Sequence, residues 1–127
     1  MAAHIAWVTL LYAALTLARA PSVWGVFQLS DGSNPCAAVE GRISANLRNQ
    51  FEWPLLFYVV CLLLLMQEPV QDDVQAVFAW LFVAGRVIHT AVQVLGTSIR
   101  LRGIVFTVNF VAVLAMWIRF LSSWGQA

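Results

Sequence analysis

Long apolar stretches dominate this sequence and constrain its fold more than any other feature. A helix needs about 20 mostly apolar residues to cross the hydrocarbon core of a bilayer. Hydrophobic residues make up 61% of the chain and charged residues only 10%, whereas soluble domains carry roughly 25% charged residues. The sequence therefore predicts an all-α integral membrane protein, a four-helix bundle in a single domain over residues 1–127. The candidate spans are residues 5–29, 41–66, 74–95 and 103–121.

The charged residues exclude several classes of protein. The formal net charge is +1, which is too small for a nucleic-acid-binding patch or a polybasic membrane anchor. All seven basic residues are arginines. Arginine suits bidentate recognition of carboxylates, although a coding bias would give the same pattern. Cys36 and Cys61 lack the spacing of a metal or redox pair, so we expect neither a metal site nor a disulfide.

The placement of arginines predicts the orientation of the spans. The first connection leads into Arg42 and Arg48, and the third carries Arg100 and Arg102. The second connection, residues 67–73, contains three acidic residues and no basic one. Because basic connections stay in the cytoplasm, we expect the first and third connections to be cytoplasmic and both termini to lie outside.

Polar side chains inside the spans mark a candidate site. A charge at bilayer depth is costly and usually faces the interior of a helix bundle. On the second span, Arg48 and Glu52 are four residues apart, on one helix face, with Asn49 beside them. The third span places polar residues on one face at i, i+3, i+4 and i+7. These residues are Arg86, His89, Thr90 and Gln93.

These residues, together with Arg19 on the first span and Arg102 at the start of the fourth, come to one leaflet under the predicted orientation. They predict one polar cavity, open to the cytoplasm, for a small anionic ligand with a cationic group for Glu52. A buried ion-pair network that only fixes helix registry is the alternative, and His89 alone is typical of an interhelical hydrogen bond. The excess of four arginines over one glutamate favours a bound anion, because unpaired buried charge is expensive.

Two segments resemble one family, the membrane-associated proteins of eicosanoid and glutathione metabolism (MAPEG). They are "RNQFEWPLLF" in the second span and "GRVIHTAVQ" in the third, followed by the arginine-rich turn "IRLRG". The resemblance covers nearly the whole chain, and the order and spacing of the segments carry it. The matching positions are Asn49, Glu52, Pro54 and Phe57 in the second span, and Arg86, His89 and Thr90 in the third.

The resemblance implies a homotrimer of four-helix protomers that binds glutathione between neighbouring subunits, near the cytoplasmic side. It gives Arg102 the catalytic role of stabilising the glutathione thiolate. The implied partners are membrane lipid, a lipophilic small-molecule substrate and two further copies of the chain, with no nucleic acid. The residues implied to bind glutathione are Arg19, Arg48, Asn49, Glu52, Arg86, His89 and Gln93.

The chain also departs from the family pattern. Gln93 stands where the transferases often have a tyrosine, Ala45 replaces a common arginine, and Glu52 and Pro54 are closer together than in many members. The chain is therefore similar to a bacterial branch, which implies a bacterial inner membrane with periplasmic termini. Three functional classes stay open: a glutathione transferase or peroxidase for lipophilic electrophiles, a non-catalytic lipid-binding or scaffold protein, and a transporter or channel component.

Overall fold

A computed structural model of the protein describes residues 1–67, 73–96 and 98–124. These parts of the chain form five α-helices and contain no strand. The predicted all-α fold class is thus confirmed. The helices are α1 (Ala2–Trp24), α2 (Ala37–Asn49), α3 (Trp53–Met66), α4 (Asp73–Leu95) and α5 (Ile99–Trp124).

Three of these helices, α1, α4 and α5, are long and apolar enough to cross a membrane. The pair α2 and α3 passes the same test together, but it is bent by 43° at a short break. Three crossings are therefore supported by length and composition, and a fourth if the bent pair forms one span. Most of the acidic connection, residues 68–72, lies outside the described residues.

The break between α2 and α3 corrects the expectation of one continuous helix in the second span. Pro54 lies in the first turn of α3, and a proline cannot donate the bond that would continue a helix through this point. The N–H groups of Gln50 and Phe51 instead bond to the carbonyls of Leu47 and Arg48, three residues back. Glu52 begins a new helix, so it no longer shares a helix face with Arg48.

Two helix ends also differ from the expected positions. The first span stops at Trp24 because Gly25 adopts a left-handed conformation (φ 68°) and its N–H bonds to the carbonyl of Pro21, a common way to end a helix. The last helix begins at Ile99 because the Ser98 hydroxyl accepts a bond from the N–H of Leu101 at 3.3 Å. Serine is a favoured residue in this capping position.

The buried apolar residues form two clusters. The larger lies between α3, α4 and α5, where the rings of Phe57 and Phe82 stack with centroids 4.2 Å apart. The smaller joins α1 to α2 through Leu11, Leu15 and Ile43 among others. The helices α4 and α5 make the most extensive contact in the described fold. Buried polar side chains occupy the region where α1, α2 and α4 meet.

Candidate functional site

Arg86 lies at the centre of the buried polar region. Its side chain is only 1% exposed. The Nε atom donates to Gln50 Oε1 at 2.9 Å, and Nη2 donates to the backbone carbonyl of Asn49 at 3.0 Å. Both acceptors belong to the break after α2, where carbonyl groups lose their helical partners. Arg86 therefore caps the C-terminus of α2, where the helix dipole also favours a cation.

His4, near the N-terminus, also belongs to this polar network. No pattern in the sequence predicted His4 as a member of the site. It is fully buried. His4 Nε2 lies 3.0 Å from Gln50 Oε1, and His4 Nδ1 lies 2.6 Å from the Tyr58 hydroxyl. An amide oxygen can only accept, so Nε2 carries the proton and Nδ1 accepts from Tyr58. A neutral imidazole thus ties α1 to α3 and to the break between α2 and α3.

The network continues along α4 to Gln93. The Thr90 hydroxyl lies 3.0 Å from Asn46 Oδ1, and Asn46 Nδ2 donates to Gln93 Oε1 at 3.0 Å. Arg86, His89 and Thr90 are all buried, so the predicted polar face of α4 does point into the fold. The Gln93 oxygen accepts from Asn46, and the Gln93 N–H groups have no acceptor within the part of the chain that the structure describes.

One cavity, with a volume of about 530 Å³, lies between α2, the end of α4 and the start of α5. Arg102 and Gln93 both line it, and none of its lining residues within the described parts of the chain is acidic. The α2 residues that line it are alanines, including Ala45, and Gly41, together with Arg42. Arg42 also donates to the carbonyl of Val94 at 3.0 Å. The Arg102 guanidinium has no partner among the described residues.

Arg19 and Arg48 line a different cavity, of about 210 Å³, between α1 and α2. Arg19 also pairs with Glu40 at 3.0 Å, an acidic partner that the sequence analysis did not assign. Because Arg86 is enclosed by Gln50 and Asn49, the structure corrects the prediction of one cavity shared by all four arginines. In the single chain they are divided between two cavities and the buried network.

The remaining predicted site residues differ in burial. The side chains of Arg48 and Glu52 are exposed and form no ion pair or hydrogen bond within the described parts of the chain, and the Asn49 side chain is half-buried. His89 is buried and packs near the Phe106 ring, with centroids 6.5 Å apart. Its Nδ1 atom has no hydrogen-bond partner among the described residues. Such an orphaned polar atom needs a water, an ion or a ligand.

Metal binding and disulfide chemistry find no support in the described residues. Cys36 and Cys61 are free thiols. No group of three histidine, cysteine, aspartate or glutamate side chains comes together within the parts of the chain that the structure describes.

The fold and the polar network define a class: a helical integral membrane protein with a basic cavity near the ends of its helices. Comparison with known proteins gives the family. A model of the MAPEG family matches residues 1–122 of the 127-residue chain, and the chain belongs to this family, as the sequence segments predicted. Searches of curated proteins and of solved structures find no match.

Proposed function

We propose that the protein is a membrane-embedded glutathione-binding protein that acts as a transferase or peroxidase on lipophilic electrophiles. The observation that carries this proposal is the basic cavity lined by Arg102 and by Gln93, whose side-chain N–H groups have no partner among the described residues. Its volume of about 530 Å³ lies in the range of about 300–1,000 Å³ typical of small-molecule sites. Family membership is consistent with this activity, since the family includes glutathione-related transferases along with other members.

The residues present fit glutathione, which carries two carboxylates, one ammonium and a thiol. The guanidinium groups of Arg48 and Arg102 suit the carboxylates, and the carboxylate of Glu52 suits the ammonium; none of the three has a side-chain partner among the described residues. The orphaned Nδ1 atom of His89 supplies one more polar contact. Groups without partners in the described parts of the chain are what a site for a charged ligand requires.

When bound, glutathione supplies a sulfur nucleophile whose free thiol has a pKa of about 8.5. Arg102 would hold the ionised sulfur by its charge, and the N-terminus of α5 adds the positive end of a helix dipole. Gln93 can donate a hydrogen bond but cannot give up a proton as an acid does. Electrostatic stabilisation by Arg102 is therefore the activating effect that this chain's own residues offer.

A homotrimer forms part of the same proposal. Arg48 and Glu52 are exposed in the single chain, and Arg48 lines the smaller cavity away from Arg102. Leaving such charges against lipid would be costly. A neighbouring protomer would cover them and would bring its own polar groups to a shared cleft, so that ligand groups could reach both arginines.

The proposed location is a bacterial inner membrane with both termini in the periplasm, on the basis of the arginine-rich and acidic connections. A cysteine introduced at Gln71, with Cys36 and Cys61 replaced, should react with a membrane-impermeant reagent added from outside intact cells. Reaction only after permeabilisation would reverse the orientation and move the cavity to the other leaflet.

The direct test of binding is the thermal unfolding of the purified protein in mild detergent, with and without glutathione. Selective binding to the folded state raises the midpoint of unfolding as the ligand concentration exceeds its dissociation constant. We expect a shift in the wild type, a much smaller one in Arg102→Gln and an unchanged one in the control Arg100→Gln. No shift at millimolar glutathione would contradict the proposal.

A non-catalytic lipid-binding or scaffold protein is the second candidate. A separate cavity of about 430 Å³ favours it, because its lining is almost wholly apolar and includes Met1, Ala79, Trp80 and Val83. Phospholipid or fatty acid that raises the unfolding midpoint, when glutathione does not, would support this candidate over the first.

A further inference from the structure

The last residue of α1 and the loop that follows it, together residues 24–29, expose large apolar side chains. Phe27 is 88% exposed, and Trp24, Val26 and Leu29 are also exposed. None of these side chains packs into either apolar cluster of the described fold. An exposed apolar patch of this kind marks an interaction surface rather than a part of the core.

The backbone holds this loop tip in a defined shape. Phe27 has a φ of 58°, a left-handed conformation that a bulky residue rarely adopts. Gln28 Nε2 donates to the carbonyl of Pro21 at 2.8 Å, and the N–H of Leu29 bonds to the carbonyl of Ser33 at 3.0 Å. Strained residues persist where the surroundings fix them and are often functional. Here the strain directs Phe27 away from the protein.

The position of the loop along the chain indicates what it meets. The 23 residues of α1 make a helix about 34 Å long at about 1.5 Å per residue, close to the thickness of the hydrocarbon core of about 30 Å. The chain after Trp24 therefore emerges at the membrane surface. Tryptophan is enriched at this level of membrane proteins.

The charges support the same placement. Residues 20–30 contain no charged side chain. The next charged residue is Asp31, whose pKa lies below its usual range because the Ser33 hydroxyl and backbone N–H both donate to it. Asp31 thus stays ionised at neutral pH and must remain in water. An uncharged apolar tip next to an ionised turn is the pattern of a segment that enters a bilayer from its surface.

We propose that residues 24–29 dock into the interface of the bilayer that α1 crosses, with the side chains of Trp24 and Phe27 inserted between headgroups and acyl chains. The partner is phospholipid rather than a second protein chain, because the patch continues directly from the lipid-crossing helix. The docked loop would fix the depth of the end of α1, where Arg19 pairs with Glu40.

The test is a spin label at position 27 of the full-length protein, reconstituted in vesicles of phosphatidylcholine and phosphatidylglycerol. Phe27→Cys is made in a background with Cys36→Ser and Cys61→Ala, and Val26→Cys serves as a second variant. Ser30→Cys, in the same loop but beside Asp31, is the matched control. Collision rates are measured with molecular oxygen, which concentrates in lipid, and with a nickel chelate, which stays in water.

Labels at positions 26 and 27 should collide several-fold more with oxygen than with nickel, and the label at position 30 should show the reverse. A label at position 27 that collides mainly with nickel would overturn the proposal, because the loop would then project into water. Protection from both reagents would also overturn it, because another protein chain would then cover the loop.

Discussion

The Arg86 guanidinium donates from Nη2 to the carbonyl of Asn49 at 3.0 Å, and this contact links α4 to the break between α2 and α3. The break leaves backbone carbonyl groups without their helical hydrogen bonds. Inside a membrane, other groups of the protein must donate to these carbonyls. A buried arginine with no carboxylate among its hydrogen-bond partners becomes tolerable, because it meets a helix C-terminus and the Gln50 oxygen. The same arginine shapes the segment that carries Arg48, Asn49 and Glu52.

Replacing Arg86 should therefore destabilise the fold rather than only weaken the binding of a ligand. In Arg86→Met, the Asn49 carbonyl loses its charged donor, and we expect a loss of about 1–3 kcal/mol in the free energy of unfolding. Arg86→Lys should recover only part of it, because an ammonium group cannot reproduce the two-pronged geometry. Thermal or denaturant unfolding in mild detergent measures the change.

Arg100→Met is the control for this prediction, because Arg100 is exposed in the first turn of α5. It removes the same charge and should change the stability by less than about 0.5 kcal/mol. Equal effects of Arg86→Met and Arg100→Met would show that the link between α4 and the break does not stabilise the protein.

The contact between α4 and α5 gives a second prediction, on Gly85. A Cβ atom at this position would overlap Asn109 Oδ1, whereas a Cβ at Gly103 on α5 would meet nothing within 4 Å. Gly85→Ala should cost about 1–3 kcal/mol of stability, as overpacking does, and Gly103→Ala should not. Unfolding in detergent distinguishes the two.

A double mutant identifies the cause of the Gly85 effect. Both amide atoms of Asn109 lack hydrogen-bond partners among the described residues, so truncating this side chain removes the clash without breaking a bond that the structure records. In the Asn109→Ala background, Gly85→Ala should lose most of its penalty. Additive effects of the two substitutions would mean that they act independently and would contradict the overlap.

The sequence was sufficient for the parts of the fold that depend on local patterns. Hydropathy over about 20 residues located the membrane-length helices, and the 3.6-residue period placed Arg86, His89 and Thr90 on a buried face of α4. Pro54 was also recognised in the sequence. Whether it breaks the helix depends on whether other groups can donate hydrogen bonds to the backbone carbonyls at the break. The donor is Arg86, which is 37 residues away from Asn49 in the sequence. No local pattern indicates this contact.

The candidate site shows the same limit. The sequence analysis grouped Gln93 with Arg102, and both residues line the same cavity, because α4 and α5 lie only a few residues apart in the chain. It missed His4, which belongs to no periodic pattern. His4 contacts Gln50 and Tyr58, which lie 46 and 54 positions further along the chain. The sequence analysis also grouped Arg19 with Arg102, because the sequence indicates a similar depth in the bilayer for both residues. The direction in which each helix face points depends on packing, which the sequence pattern does not give.

The proposed trimer predicts a specific stoichiometry. Native mass spectrometry in mild detergent should give a mass of three chains, and glutathione should remain bound to that species. The reason is that Arg48 and Glu52, exposed in one chain, would gain partners across a protomer boundary of the proposed trimer. A monomer that still retains the ligand would contradict the shared cleft.

The last prediction concerns activation of the thiol by Arg102. Its guanidinium lines the basic cavity and has no partner in the described parts of the chain. Removing its charge in Arg102→Ala should cost on the order of 1–3 kcal/mol of thiolate stabilisation, which raises the pKa of the bound thiol by roughly one to two units. Gln93→Ala should have a smaller effect, because it removes only a neutral donor.

The ultraviolet absorbance of the thiolate, followed across pH with glutathione bound, measures this pKa directly. In the wild type the thiol should ionise below the value of about 8.5 that it has in water, since a nearby cation favours the charged form. Arg100→Ala removes the same charge at a position that does not line the cavity. It should leave the titration unchanged. A wild-type thiol that titrates as it does in water would refute activation by Arg102, and would favour the lipid-binding or scaffold function.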